Sequence, residues 1–392
     1  MATINYLTTI EFDFGAVLKL GDCVHALRIR KPMLVTDAGL AAGPVMARVL
    51  SVIDEFQPVV FDGTPQNPDE QAVEGAVALY KASGCDGVIA LGGGSPIDLG
   101  KAVALLATHP GPLEQYALID GGFSKITSKV APVIAIPTTA GTGSEVGRGA
   151  LITLNDGRKL GFISPHMIPK LAICDPELTL GLPQRLTAAT GMDALTHCIE
   201  TFLSPRVNPP ADAIALDGAA RAARWLRIAV DDGTNREARW NMMMAAVQGG
   251  LTFQKGLGAV HSMSHPLGGL KTPILHHGTL NAVVLPAVLR FNSSHAAEKI
   301  LALETALGVS ASSDLAGFIE ALNAQIGLPP TLRAMGVTEA MIPRMIDGAL
   351  KDHSTATNPR PVSREDFEEL FAQAMGPAPT TSHAFIKEAT ST

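Results

Sequence analysis

Between residues 31 and 176 the chain alternates short apolar runs with longer stretches of helical periodicity, and this alternation limits the possible folds more than any other feature. KPMLVT (31–36), PVVFD (58–62), GVIALGG (87–93), PVIAIP (132–137) and LAICDP (171–176) read as buried strands. AGPVMARVLSVIDEF and DEQAVEGAVALYKASG, between them, read as amphipathic helices. The second opens on Asp69 and Glu70, where the helix dipole favours anions. Strand and helix in alternation build a parallel, doubly wound sheet, whose ligands gather at the carboxyl ends of the strands.

Two motifs stand at such ends. In ALGGGSPIDLGK (90–101) a strand runs into Gly92, Gly93 and Gly94, with Ser95 expected as N-cap and Pro96 at the first helical position. Glycines let backbone amides approach a phosphate, and the new helix presents its positive end to it, so a pyrophosphate is the natural occupant; an ordinary βα turn is the plain alternative. In IPTTAGTGSEV, Thr138, Thr139, Thr142 and Ser144 crowd hydroxyls into a glycine-broken loop that could hydrogen-bond a nucleotide. Asp37, at the end of the first of these strands, could accept from adenosine ribose hydroxyls and would repel a 2′-phosphate, which predicts NAD rather than NADP.

After Leu182 and Pro183 strand-like runs cease and helical patterns follow one another to REDFEELFAQAM. The expected division is an α/β domain over 1–182 and an all-helical domain over 183–392. STATNPRPVS (354–363) reads as a surface turn before the last helix, and the Met242 to Met244 run as core filler.

The helical half holds a concentration of histidines in HSMSHPLGGLKTPILHHGTLNAVVLP (261–286). His261 and His265 are one helical turn apart and share a face; Pro266 and the following glycines are expected to stop that helix, and an apolar helical pattern resumes at Leu280. His276 and His277 lie between. Upstream, Asp193 and His197 have the same four-residue spacing. Imidazoles and one carboxylate held on rigid elements make a ligand set for Fe(II), Zn(II) or their neighbours. Taken pair by pair, a capping aspartate and satisfied core histidines explain the same residues.

Composition narrows the function. The 392 residues, 46% of them hydrophobic, suffice for two substantial cores. A formal charge of −7 with no basic run argues against a nucleic-acid partner. No signal-peptide pattern and no uncharged run of spanning length is present, so no membrane association is expected. Cys23, Cys85, Cys174 and Cys198 stand singly, as reduced thiols of a cytoplasmic protein would.

GGGSPIDLGK, IPTTAGTGSEV, GMDALTHCIE and the HxxxHPLG…HG…NAxxLP region, in this order over nearly the whole chain, resemble the iron-containing (group III) alcohol dehydrogenase family. The resemblance implies a Rossmann-like N-terminal domain and a helical C-terminal domain, an architecture shared with dehydroquinate synthase, and one divalent metal in the cleft between them. It carries Asp193, His197, His261 and His277 over as metal ligands, with His276 a rival to His277 because the segment after His265 is about two residues longer than in common members. His265 matches a histidine near the nicotinamide that is a candidate proton carrier. Asp37, Asn67, Gly93, Gly94, Ser95, Asp98, Thr138, Thr139, Thr142, Lys159 and Leu178 match positions lining the cofactor groove. The expected activity is reversible hydride transfer between NAD and a small alcohol or hydroxy acid, with Fe(II) or Zn(II), in a homodimer or higher homo-oligomer formed through the N-terminal strand TINYLTTIEFDFG. Arg148 departs from many members; it could grip an anionic tail with two parallel bonds, or form a surface ion pair. A sugar-phosphate cyclase of the dehydroquinate synthase type and a non-catalytic nucleotide binder are the competing classes.

Overall fold

The computed structural model describes residues 8–310 and 312–377. Its first part is a six-stranded sheet built from β1 (Thr9–Phe12), β2 (Pro32–Val35), β3 (Val59–Phe61), β4 (Gly87–Gly92), β5 (Val133–Pro137) and, after a separate hairpin, β8 (Leu171–Cys174). The strand order is β1-β8-β5-β4-β2-β3, and every pairing is parallel. Helices α1 (Leu20–Ala26), α2 (Ala38–Ala41), α3 (Pro44–Ile53), α4 (Glu70–Ser83) and α5 (Gly94–Thr108) connect the strands.

The strands β2, β4 and β5 are apolar at every position because both faces of the sheet are covered. Alternate residues serve opposite layers. Leu34, Ile89 and Ile134 pack with Val17, Leu20 and Val49, whereas Met33, Val88 and Val133 pack with Val73 of α4 and Leu99 of α5. Asp69 caps α4, its side chain accepting from the Ala72 N–H at 2.8 Å.

Three local features differ from the sequence reading. A two-stranded antiparallel hairpin, β6 (Gly149–Thr153) and β7 (Lys159–Ile163), stands apart from the main sheet. Its inward residues Ala150, Ile152, Leu160 and Phe162 alternate with half-buried ones, a period-2 pattern that two polar-flanked runs of five residues show only weakly. Helix α5 starts at Gly94 with Gly93 as N-cap, so Ser95 lies inside the first turn and not at the cap. Finally, β1 extends the sheet by pairing with β8; residues 3–7 of the expected N-terminal strand lie outside the described residues.

The second part is helical: α6 (Gln184–Leu203), α7 (Pro209–Asp231), α8 (Arg236–Leu251), α9 (Ala259–Gly268), α10 (His277–Asn292), α11 (Ala297–Leu307), α12 (Leu315–Gln325), α13 (Ile342–Lys351) and α14 (Arg364–Met375). Helix α6 is its axis, buried at every residue from Thr187 to Leu203. A helix apolar or polar without regard to face is one surrounded on all sides, which is why α6 shows little amphipathic pattern. Helix α9 ends at Gly268 with Gly269 as C-cap, at the expected stop formed by Pro266 and the glycines after it; Pro266 itself lies in the last turn, where a helix tolerates the one lost hydrogen bond. The 354–363 segment, by contrast, is not a plain surface turn. Ser354, Thr357 and Asn358 are buried, and the Asn358 amide donates to Asn292 Oδ1 at 2.8 Å. No helix among the described residues is long and apolar enough to cross a membrane.

Candidate active site

Two contacts between small residues bring the site together. Gly143, in the loop after β5, has φ +61°, and its backbone lies so close to Gly250 of α8 that a Cβ on Gly143 would sit 2.6 Å from the Gly250 Cα. Gly278 brings the start of α10 against α6. The same loop places the Gly141 carbonyl 3.3 Å from His197 Nδ1, so a loop of the sheet orients a side chain of the helical part.

Donor atoms of Asp193, His197, His261 and His277 all lie within 4.8 Å of one another. Asp193 and His197 come from the middle of α6, His261 from α9 and His277 from the first residue of α10. Asp193 is therefore no helix cap, and His277, not His276, joins the group. His261 Nδ1 donates to Glu200 Oε2 at 2.5 Å, and His197 Nδ1 donates to Gly141 O, which leaves the Nε2 lone pair of each imidazole for the cluster. Burial holds His197 down to about 4 and His277 well below the usual imidazole range. For His261 burial acts downward as well, yet the bond and charge of Glu200 outweigh it and the net direction is upward.

The cluster thus sets a carboxylate among buried imidazoles, two of which burial keeps neutral, and it lacks a fixed positive centre. Asn281 Nδ2 supplies part of one: it donates to Asp193 Oδ1 at 2.7 Å and stands 3.2 Å from His261 Nε2 and 3.1 Å from His277 Nε2. An amide has only two hydrogens for these three acceptors, and His277 Nδ1 and Asn281 Oδ1 are left without partners. A donor set of one carboxylate and three imidazoles, this buried, fits a divalent transition ion.

His265 lies beside this group, its ring stacked 5.6 Å from that of His277. Its Nδ1 bonds Asp352 Oδ2 at 2.7 Å, and the His353 ring stacks on it at 5.9 Å. Burial acts to raise the Asp352 carboxyl, but the charge and hydrogen bond of His265 hold it far below the carboxylate range. Phe253 meets the His197 ring edge-on at 4.8 Å.

The residues expected to line a cofactor groove are distributed unevenly. The first turn of α5, at Gly93, Gly94 and Ser95, has no capping side chain, so its N–H groups remain available to an anion. Thr138 is buried, its N–H bonded to Gly92 O, and Thr139 and Thr142 lie against Gly93 and Gly94. Asn67 Oδ1 accepts from Lys159 Nζ at 3.4 Å, and the ammonium feels both Asp98 and Asp193, although burial dominates and lowers its pKa. Asp37 caps α2 through one oxygen, accepting from Leu40 N–H at 3.0 Å. Asp98 is occupied internally, accepting from Ser144 Oγ at 2.5 Å and from Leu151 N–H at 2.9 Å. Leu178 is buried in the layer that holds Leu34 and Ile89.

Glu200, Asn281, Asp352, His353 and Lys101 have no role in the sequence reading. Glu200 and Asn281 stand inside the quoted motifs, but Asp352 is 87 positions from His265 and nothing near it in the chain marks it. Lys101, fully buried, donates to Ser144 Oγ (2.8 Å), Gly147 O (3.0 Å) and Gly149 O (2.8 Å), and burial lowers it to about 8. Neighbouring Glu145 is pushed up to about 7 by burial, with Lys101 opposing. A carboxyl raised in the folded state contributes stability below its unfolded value of 4.5 that is lost as pH rises through about 7. Glu145→Gln should lack that loss, gaining on the wild type by up to about 3 kcal/mol between these pH values. Denaturant titrations of both proteins at pH 5 and pH 8 check this; parallel pH curves contradict it.

Residues 8–176 match the family model described as iron-containing alcohol dehydrogenase, and residues 187–375 match that of the Fe-containing alcohol dehydrogenase family, C-terminal. The chain is 54% identical to 4-hydroxybutyrate dehydrogenase of Cupriavidus necator, over 96% of its own length and all of the relative. Among solved structures, 1,3-propanediol oxidoreductase superposes with a TM-score of 0.88 at 36% identity, covering 95% of this chain and 100% of that one. The sulfoacetaldehyde reductase of Bifidobacterium kashiwanohense, solved in complex with NAD+, superposes with a TM-score of 0.87 at 28% identity, over 96% and 100%.

Proposed function

The chain belongs to the iron-containing alcohol dehydrogenase family, and on that footing we propose that it moves hydride reversibly between NAD and a short ω-hydroxy acid, using one divalent ion held by Asp193, His197, His261 and His277. Membership makes it an oxidoreductase acting on alcohols or aldehydes, and it does not favour the cyclase or simple-binder classes. The observation that carries the finer reading is the convergence of the four donors. The hydroxy-acid substrate is supported by the relative named for 4-hydroxybutyrate.

When bound, a divalent ion supplies Lewis-acid polarisation of the substrate oxygen. Iron is the proposed ion; zinc suits the same donors. Glu200 fixes His261 by its short bond, and Gly141 O fixes His197, so both ligands are oriented in advance. The uncapped start of α5 receives the pyrophosphate, while Thr138, Thr139, Thr142, Asn67 and Lys159 border the path from there toward the metal cluster. Asp37 has an oxygen free for ribose hydroxyls and a charge that disfavours NADP. Phe253 packs edge-on against His197. His265, its Nδ1 held by Asp352, has Nε2 to take up the hydroxyl proton on oxidation and return it on reduction.

The outer edge of β1 carries no further strand among the described residues, which supports pairing with a second copy in a homodimer. Four separately buried thiols without disulfides support a reducing, cytoplasmic setting.

The test is an anaerobic assay of Fe(II)- and Zn(II)-loaded protein with NAD and 4-hydroxybutyrate, following nicotinamide absorbance. NADH should accumulate, and His265→Ala should lower kcat by about 10²-fold or more at neutral pH while the ion stays bound. Absence of NADH with any alcohol or hydroxy acid rejects the reaction; full activity of the variant removes His265 from the proton path.

A further inference from the structure

His353 is an imidazole held firmly in place with nothing to bond. It opens the 3-10 turn His353–Thr357 that follows α13, and the turn is anchored on both sides of it. The Asp352 N–H donates to Ala349 O at 3.1 Å, and Thr355 Oγ1 lies 2.8 Å from both Ala349 O and Ser262 Oγ of α9. The neighbouring carboxylate does not claim the ring. Asp352 Oδ2 is taken by His265 Nδ1 at 2.7 Å and Oδ1 accepts from the Ser354 N–H at 2.8 Å, while His353 Nδ1 stands 3.7 Å from Oδ1, beyond hydrogen-bond reach. No other group among the described residues bonds either ring nitrogen.

The ring also stands between the metal cluster and the mouth of the cleft. It stacks on His265, with centroids 5.9 Å and planes 20° apart, and a Cβ built on Gly161 of β7 would lie 3.8 Å from its Cε1. His353 thus reaches from the helical part to the hairpin that carries Lys159, one ring further out than His265. Exposure gives the direction: 34% of the His353 side chain is accessible, against 7% for His265. Burial disfavours the charged form of His353, Asp352 favours it, and His265 and His261 oppose it again, so that the ring lies below the usual imidazole range. An anion placed against it supplies the missing acceptor and tips this balance toward the charged form.

Length indicates which anion fits. With bonds of ~1.5 Å, the hydroxyl oxygen and carboxyl carbon of an extended four-carbon ω-hydroxy acid lie about 5 Å apart. That is close to the 5.9 Å between the His265 and His353 rings. A two-carbon hydroxy acid falls short of it. We propose that His353 receives the carboxylate of an ω-hydroxy acid, or of the matching semialdehyde, while the hydroxyl or carbonyl end lies at His265 and the metal cluster. This rests on the hydroxy-acid reading above and adds the residue that enforces it. Because the turn carrying His353 is anchored to α9 and α13, the ring sets the chain length that is accepted as well as the charge.

The experiment compares 4-hydroxybutyrate with its neutral analogue 1,4-butanediol in the metal-loaded enzyme, and measures butyrate binding to the enzyme–NAD complex by calorimetry. In His353→Ala the ratio of kcat/KM for acid over diol should fall about 10- to 100-fold, the worth of one hydrogen bond to a charged group, with most of the loss in KM for the acid. Butyrate affinity should fall with it. His353→Phe keeps a ring against His265 and Gly161 but has no N–H, and should lose as much; His353→Gln, with a neutral donor, should lose less. An unchanged ratio and unchanged butyrate affinity in folded His353→Phe would overturn the assignment. So would an equal loss for acid and diol, which is what disturbed packing of His265 produces, or weaker NAD binding with an unmoved ratio, which would give the ring to the cofactor. Calorimetry needs no turnover. A wild type that binds butyrate through His353 and makes no NADH therefore rejects the reaction alone, and one that oxidises both substrates without regard to His353 rejects the carboxylate site alone.

Discussion

Asp193→Ala is expected to lower kcat/KM on the order of 10³-fold or more and to leave the protein with well under one ion per chain. Asp193 contributes the single anionic oxygen of the cluster; the other three donors are imidazoles, of which burial pushes His197 down to about 4 and His277 well below the usual range. Without the carboxylate, a divalent ion would have to leave water for three uncharged nitrogens in a buried pocket, with nothing to offset its lost hydration. The metal-free protein should be little affected, because what the side chain does there is accept from Asn281 Nδ2 at 2.7 Å. The contrast appears in thermal denaturation with and without Fe(II): the wild type gains stability from the ion in proportion to its occupancy, and the variant does not. Glu200→Gln should be milder, weakening affinity about 10- to 100-fold, since it alters the orientation and basicity of His261 and leaves all four donors in place. An Asp193→Ala protein with full ion content and normal turnover would place the reaction elsewhere in the molecule.

The four donors illustrate what a sequence can and cannot disclose. Asp193 and His197, like His261 and His265, are related by helical spacing, so each pair was legible as two groups on one face. What brings the pairs together is not local. It depends on α6, α9 and α10 meeting, and on a loop of the sheet inserting Gly141 and Gly143 between α6 and α8. The resemblance carried over His277 with His276 as its rival; periodicity does not separate the two, and α10 begins at His277, whose donor atom joins the other three. The second partners were harder still: Asp352 reaches His265 from a segment that reads as the edge of a polar turn. The parallel sheet was the easier part, because strands buried on both faces announce themselves as unbroken apolar runs, whereas the half-exposed β6–β7 hairpin did not.

Gly278→Ala tests the contact on which that convergence depends. A methyl group on Gly278 would lie 2.1 Å from Ala189 O and 2.8 Å from Ala189 C, with Asp193 Cβ at 3.1 Å. The first two are backbone atoms of α6, so no rotamer change can make room; α10 must move away from α6, or its first turn must unwind. The expected loss of stability is about 2–4 kcal/mol. Either displacement carries His277 and Asn281 away from Asp193, because both lie within the first two turns of α10. Ion content and turnover should therefore fall together with stability, and added Fe(II) should restore them only in part. Gly181→Ala is the control: no atom lies within 4 Å of its added methyl and its backbone is not in the left-handed region, so a gain of about 0.4–1 kcal/mol is expected from the stiffer unfolded chain. Denaturant unfolding and elemental analysis of the two variants decide the matter. If Gly278→Ala matched the wild type in both, α6 and α10 would not be in the close contact that places His277 beside Asp193, and the four-donor geometry would lose its structural basis.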